Sequence, residues 1–177
     1  MVQIEQAGPG DHEAIAAVVR TAFVHEPALG DLPRLIRESP QYVAELELVA
    51  RLEGAVVGHT MISHAAVVDV EGTRHDVLTL SPLAVAPDHE RQGIGGALVR
   101  EALARAERTD APLVLLEGSP AYYPRFGFTD ARPHGITFDL PEWAPPEAGM
   151  VYLLPHYDPA VRGRVDYPPA FAAVSAG

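Results

Sequence analysis

The sequence predicts an α/β (or α+β) domain in which a mixed sheet carries helices on both faces. Three observations predict it. Two runs of strand-like residues, Tyr42 to Leu52 and Ala55 to Val70, are joined by the turn pair Glu53–Gly54 and read as antiparallel neighbours. A second turn, Glu71–Gly72, leads into a further apolar run, Val77 to Val85. Beyond it the apolar residues recur at helical spacing, so the meander of the first half gives way to strand–helix–strand. At 177 residues the chain is one domain of ordinary size, expected to span 1–177 and able to bury a full core.

Each element has its own grounds. Val2 to Gln6 can form a first edge strand. Pro9, Gly10 and Asp11 then open a helix with Asp11 as its cap, and Ile15, Val18, Val19 and Ala22–Phe23 give that helix an apolar face. Pro27 and Gly30 break the chain, and Leu32 to Glu38 reads as a second short helix ending before Pro40. Its Arg34 and Arg37 read as solvated helix charges. Leu113 to Leu116 is a buried strand, and Met150 to Leu154 can close the sheet. Eight of the 17 prolines follow position 130, so 141–149 must be loop. Residues 141–177 are expected to form a Pro-rich extension packed on the domain, with Val165, Tyr167 and Phe171 as anchors.

The stretch around which these elements are arranged is Ala84 to Glu107. Pro87 and Asp88 stop the preceding strand, and Gly93, Gly95 and Gly96 crowd into four positions. Ile94, Leu98, Ala102 and Ala106 form one row of the following helix, with Val99 and Leu103 beside it, while Glu101 can pair with Arg105 one turn on. A helix whose first turn is glycine-rich offers free backbone N–H groups at its positive end, which suits a phosphate. The usual nucleotide loops do not fit. No Gly-Lys-Ser/Thr follows the glycines, and the dinucleotide fingerprint would need its third glycine where Leu98 stands.

With a strand ending in Ala-Val, a proline, and then Arg91-Gln92-Gly93-Ile94-Gly95-Gly96, the stretch resembles the pyrophosphate loop of the GCN5-related N-acetyltransferases (the GNAT superfamily). Glu90 occupies the position that is usually Gln or Arg there, with Arg91 and Gln92 adjacent. A second motif, Gly118 to Phe128, resembles the same family in order and spacing. Tyr123 holds the place of a Tyr four residues before Gly-Phe, and Ser119 stands where an Asn is frequent. The segment from Gly118 and the tail from Val161 to Phe171 are similar to a small bacterial branch of predicted acetyltransferases, the YhbS-like group. The resemblance implies a GNAT fold, with a mixed, mostly antiparallel central sheet and helices on both faces, and a short helix carrying Tyr123.

It also implies an activity. The cofactor would be acetyl-CoA, its pyrophosphate on Arg91, Gln92, Gly93, Ile94, Gly95 and Gly96, its pantetheine arm along Leu83, Ala84 and Val85, and its thiol near Tyr123. The reaction would be direct acetyl transfer to a primary amine without an acyl-enzyme. A Val85 N–H could favour the developing oxyanion, and Tyr123 would be the acid for the leaving thiolate. An alkylammonium of pKa about 10.4 must lose a proton first. Glu117 is a candidate base, with His59 and His64 as others; five residues apart on one strand, these two histidines face opposite sides of the sheet. Relayed water could do the same work. The acceptor is open among amino acids, polyamines, aminoglycoside-like drugs, protein N-termini and lysine side chains; the resemblance implies that the first two helices border its site, where Arg34 and Arg37 could meet it. The different-class alternative is a coenzyme A-binding regulatory module with little or no catalysis.

Composition narrows the rest. Without cysteine there is no thiolate nucleophile, disulfide or Cys-based zinc site. A formal net charge of −11 argues against nucleic acid and is compatible with a cationic amine. No metal-ligand spacing is present among the eight histidines. With no signal-like start and no membrane-length apolar run, the expected location is cytoplasmic. A homodimer through the closing strands stays open.

Overall fold

The computed structural model describes residues 1–175. Its elements run β1 (Gln3–Gln6), α1 (His12–Ala22), α2 (Leu32–Arg37), β2 (Glu47–Leu52), β3 (Ala55–Val68), β4 (Arg74–Val85), α3 (Ile94–Ala106) and β5 (Leu113–Glu117). They continue through β6 (Thr129–Asp130), β7 (Ile136–Thr137), β8 (Gly149–Leu153), β9 (Gly163–Asp166) and α4 (Pro169–Ser175). The sheet is mixed and mostly antiparallel, with strand order β1-β2-β3-β4-β5-β8-β6 and β9 paired to β3 and β7. The chain divides into two compact units, and β3 and β4 each run through both. No described helix is long and apolar enough to cross a membrane.

The first unit holds 1–63, 80–105 and 168–175. Here β1 and β2 pair antiparallel from Gln3↔Arg51 to Gln6↔Leu48, and β2 pairs antiparallel with β3, Val49 facing His59. The apolar row of α1 is buried as its periodicity requires: Ile15, Val18 and Val19 pack with Val49 and Ala84. Leu32 and Ile36 of α2 pack with Met61 and with Ala170 and Phe171 of α4. Ile94, Leu98, Val99, Ala102 and Leu103 of α3 are all buried. The helix comes close to the sheet at Gly58, where an added Cβ would lie 3.0 Å from Leu98 Cδ1 and 3.2 Å from Ile94 Cγ2. A side chain at 58 would therefore lift the helix that the glycine turn opens. The i,i+4 pair on the outer face forms, with Arg105 Nε donating to Glu101 Oε1 at 2.9 Å.

The second unit holds 64–79 and 106–167. The β4 strand runs parallel to β5 at Leu78↔Val114 and Thr79↔Leu115, and β5 pairs antiparallel with β8 from Leu113↔Leu153 to Glu117↔Gly149. Val67, Val77, Leu113, Leu115, Ile136 and Val151 form its core.

Several boundaries differ from the sequence reading, each for a local reason. Residues 42–46 are not strand. Ala44–Leu46 forms a 3₁₀ turn, and the Tyr42 hydroxyl donates to Glu47 at 2.8 Å, which draws that stretch out of the sheet. The β3 strand ends at Val68 because Asp69 Oδ1 accepts the N–H groups of Glu71 and Thr73 and closes the turn. Asp11 sits at the start of α1 but does not cap it by a side-chain bond; its carboxylate accepts from Gly8 N–H at 2.9 Å and from Arg51 Nη2 at 3.0 Å. The short helix expected at Tyr123 is present as a 3₁₀ turn, Tyr123–Phe126. The proline-dense stretch belongs to the second unit as far as Tyr167, and Pro168 onward to the first. Val165 packs on the second unit's core and Phe171 on the first's.

Candidate functional site

The glycine turn lies in the first unit. Leu83 and Val85 are half-buried and Ala84 is buried at the end of β4, after which a 3₁₀ turn at Pro87–His89 redirects the chain. Arg91 and Gly93 both adopt left-handed backbone, φ 60° and 82°. At Gly93 an added Cβ would meet nothing within 4 Å, so conformation and not crowding calls for glycine. A residue with a side chain can hold such a φ at a cost of about 1–2 kcal/mol, and Arg91 does. The Ala97 N–H is the first with a carbonyl one turn back, bonding Gly93 O at 3.0 Å. The amides of Ile94, Gly95 and Gly96 therefore have no intrahelical acceptor. Arg91, Gln92 and Gly93 are exposed beside them. These donors at the positive end of a 13-residue helix form a cradle that fits a diphosphate.

Glu117 and Tyr123 lie in the second unit. Glu117 ends β5 with its side chain exposed, and its Oε2 accepts the Tyr167 hydroxyl at 2.8 Å. Burial, then the Glu117 charge, raises the Tyr167 phenol far above its ordinary value, so it stays a donor. Tyr123 packs its ring over Gly118, where a Cβ would come within 2.6 Å of Cε2, and meets Phe128 edge-on with centroids 5.9 Å apart. Burial, helped by neighbouring Tyr122, pushes the Tyr123 phenol up to about 12. It is fully protonated at neutral pH, the state a proton donor needs.

The remaining candidates separate. His64 is exposed on β3, whereas His59 is fully buried with its Nε2 3.0 Å from Glu47 Oε1. Glu47 is the centre of a cluster that the sequence reading did not find. Arg37 is not a solvated helix charge: it turns in, 10% exposed, and donates to both Glu47 oxygens, Nη2 to Oε1 at 2.7 Å. Tyr42 donates to Oε2. Burial alone would raise the Glu47 pKa, but hydrogen bonds from His59 and Arg37 outweigh it and hold it at about 2. The ionised carboxylate only accepts, so His59 carries its proton on Nε2, and burial keeps the ring neutral by lowering its pKa. Its Nδ1 is left buried without a partner. The only sequence trace of the cluster is diagonal. In the β2–β3 register Glu47 faces Met61 and Val49 faces His59, so Glu47 and His59 are diagonal neighbours across two strands.

A family model for a GNAT acetyltransferase domain matches residues 3–131. The chain belongs to the GNAT acetyltransferase family. Among GNAT relatives, the uncharacterized N-acetyltransferase YhbS of Escherichia coli K12 is 34% identical over 129 residues, 72% of this chain and 74% of that protein. YjhQ of the same strain, also an uncharacterized N-acetyltransferase, is 34% identical over 100 residues, 55% of this chain. That match spans about half of YjhQ, 54% of its length. The crystal structure of E. coli YhbS in complex with CoA superposes with a TM-score of 0.83 at 30% identity, covering 97% of this chain and 92% of that one. A GNAT acetyltransferase from Brucella melitensis, crystallised with acetyl-CoA, gives 0.77 at 27% identity, covering 97% and 98%. The GNAT fold expected from the glycine turn and the Tyr123 segment is thus the fold the chain has.

Proposed function

We propose that this chain transfers an acetyl group from acetyl-CoA directly to a primary amine carried by a small molecule or peptide. The observation that carries the reading is the turn at 91–96, whose exposed side chains and free amides at Ile94, Gly95 and Gly96 match a pyrophosphate. Family membership and the two relatives crystallised with CoA and acetyl-CoA support it. Arg91, Gln92, Gly93, Ile94, Gly95 and Gly96 hold the phosphates, and Leu83, Ala84 and Val85 present main-chain groups to the pantetheine arm. When bound, acetyl-CoA supplies an acyl group already activated as a thioester. Glu117 takes the ammonium proton through the oxygen that Tyr167 leaves free, and Tyr123 hands a proton to the departing sulfur.

Thermal unfolding tests the first step. At a hundredfold its dissociation constant a ligand adds about 2.7 kcal/mol, so acetyl-CoA should raise the midpoint by roughly 5–10 °C while ATP and NADH leave it in place. A rise with ATP or NADH and none with acetyl-CoA would overturn the reading.

A further inference from the structure

The end of β5 borders a cavity of about 340 Å³ lined by Glu117, Ser119, Pro120, Trp143, Pro145 and Ala148, among others, all within the second unit. That is the size of a small-ligand site. Two features make it more than a surface dent. Its far wall is a loop stiffened by Pro141, Pro145 and Pro146 and tied down by backbone bonds, Ala144 N–H to Pro141 O at 3.0 Å and Ala148 N–H to Pro145 O at 2.9 Å. Gly118 N–H bonds Ala148 O at 3.0 Å and fastens this loop to the strand that carries Glu117. On that fixed wall Trp143 lies 84% exposed, a large indole with most of its surface open.

We propose that this cavity is the acceptor subsite, and that it selects a primary monoammonium carried on an aromatic or branched apolar body. The inference rests on the acetyltransferase reading only for what happens to the amine after it binds. The chemistry of the walls chooses the class. Glu117 is the single ionisable side chain in the lining, and Tyr167 holds one of its oxygens, so one positive charge is matched and a second is not. Of the two other carboxylates on the loop, Glu147 turns to Arg132 at 3.6 Å, and Glu142, next to Trp143 in the chain, is not among the lining residues. Proline and alanine side chains cannot hydrogen-bond a sugar or a polyamine, but they pack against an apolar body. The Trp143 face suits an aromatic ring, and its negative π-cloud favours the cationic end as well. An anionic acceptor finds no Lys or Arg among the lining residues.

Trp143 is the only tryptophan in the chain, so its emission reports on this cavity directly. Phenethylammonium, titrated into the full chain with and without CoA, should change that emission saturably. Spermidine and the neutral isostere 2-phenylethanol should bind at least tenfold more weakly. Glu117→Gln should weaken phenethylammonium by at least tenfold. In turnover, Trp143→Ala should raise the KM for phenethylamine at least tenfold while the KM for acetyl-CoA stays within twofold. No emission change with any amine, with or without CoA, overturns the inference, as does tighter binding of spermidine. Acetyl-CoA binding is tested separately, and the absence of an acetyl-CoA midpoint shift would count against transfer from acetyl-CoA alone. Saturable, Glu117-dependent binding of phenethylammonium in that case would still support the cavity as an ammonium site.

Discussion

Replacing Tyr123 with Phe should lower kcat by roughly 10²-fold and leave acetyl-CoA affinity within about twofold. The size follows from proton energetics. A phenol at about 12 facing a thiolate whose acid has a pKa of about 8.5 gives its proton uphill by roughly 5 kcal/mol. That is a small part of a barrier compatible with ordinary turnover, yet thiolates leave fairly well unaided. The loss therefore belongs at the low end of the 10²–10⁴ range for positioned acid–base groups. The ring of Phe keeps the packing on Gly118 and Phe128, so the change isolates the hydroxyl. Because Tyr123 stays protonated until about pH 12, its ionisation should not impose a fall in rate between pH 7 and pH 10. Steady-state kinetics with an acetyl-CoA binding titration checks both parts. Unchanged turnover would remove Tyr123 from the chemistry.

Glu47→Ala should destabilise the first unit by about 3–5 kcal/mol, because it strands the buried Arg37 guanidinium without its carboxylate. At this chain length that is a midpoint lowered by roughly 6–20 °C. Arg34 on the same helix is the natural control. Its pair with Glu38, 3.1 Å apart, is 54% and 60% exposed, so Arg34→Ala should cost no more than about 1 kcal/mol. The cluster also predicts a pH dependence. Glu47 is depressed from 4.5 to about 2, so its contribution of about 3 kcal/mol is complete above pH 4.5 and lost as pH falls toward 2. His59 is likewise depressed, so the unfolded chain takes up its proton first and stability already declines below about pH 6.5. Melting curves from pH 8 to pH 3 should show the midpoint falling throughout that acid range, and Glu47→Ala should flatten the lower part of the fall.

What could be read from the sequence follows from how local each signal is. The glycine turn was legible because consecutive residues carry all its chemistry: Pro87 stops the strand, Gly93 permits the left-handed step, and Ile94, Leu98 and Ala102 bury the helix that follows. The short helical turn at Tyr123–Phe126 was legible through the segment's resemblance to the family motif that ends in Gly127 and Phe128. The Glu47 cluster was not, because α2 contributes Arg37 and paired strands contribute Glu47 and His59, and only the β2–β3 register makes them neighbours. Arg37 looked like its neighbour Arg34; what separates them is which side of α2 meets the sheet. The 3₁₀ turn at Ala44–Leu46 is hidden in the sequence because Val43, Leu46 and Leu48 fit an apolar run of either kind, and the Tyr42–Glu47 bond decides between them. Trp143 was visible only as part of a proline-rich loop, since the strand end that it faces is more than twenty positions earlier in the chain.

Amine-dependent release of free thiol from acetyl-CoA tests the central claim most directly. The unmodified chain should release thiol with a primary amine such as phenethylamine, with one acetylated amine formed per thiol and little release without amine. Saturable acetyl-CoA binding with no amine-dependent thiol across small amines, polyamines and peptides would contradict the account and leave a cofactor-binding GNAT fold without transferase chemistry.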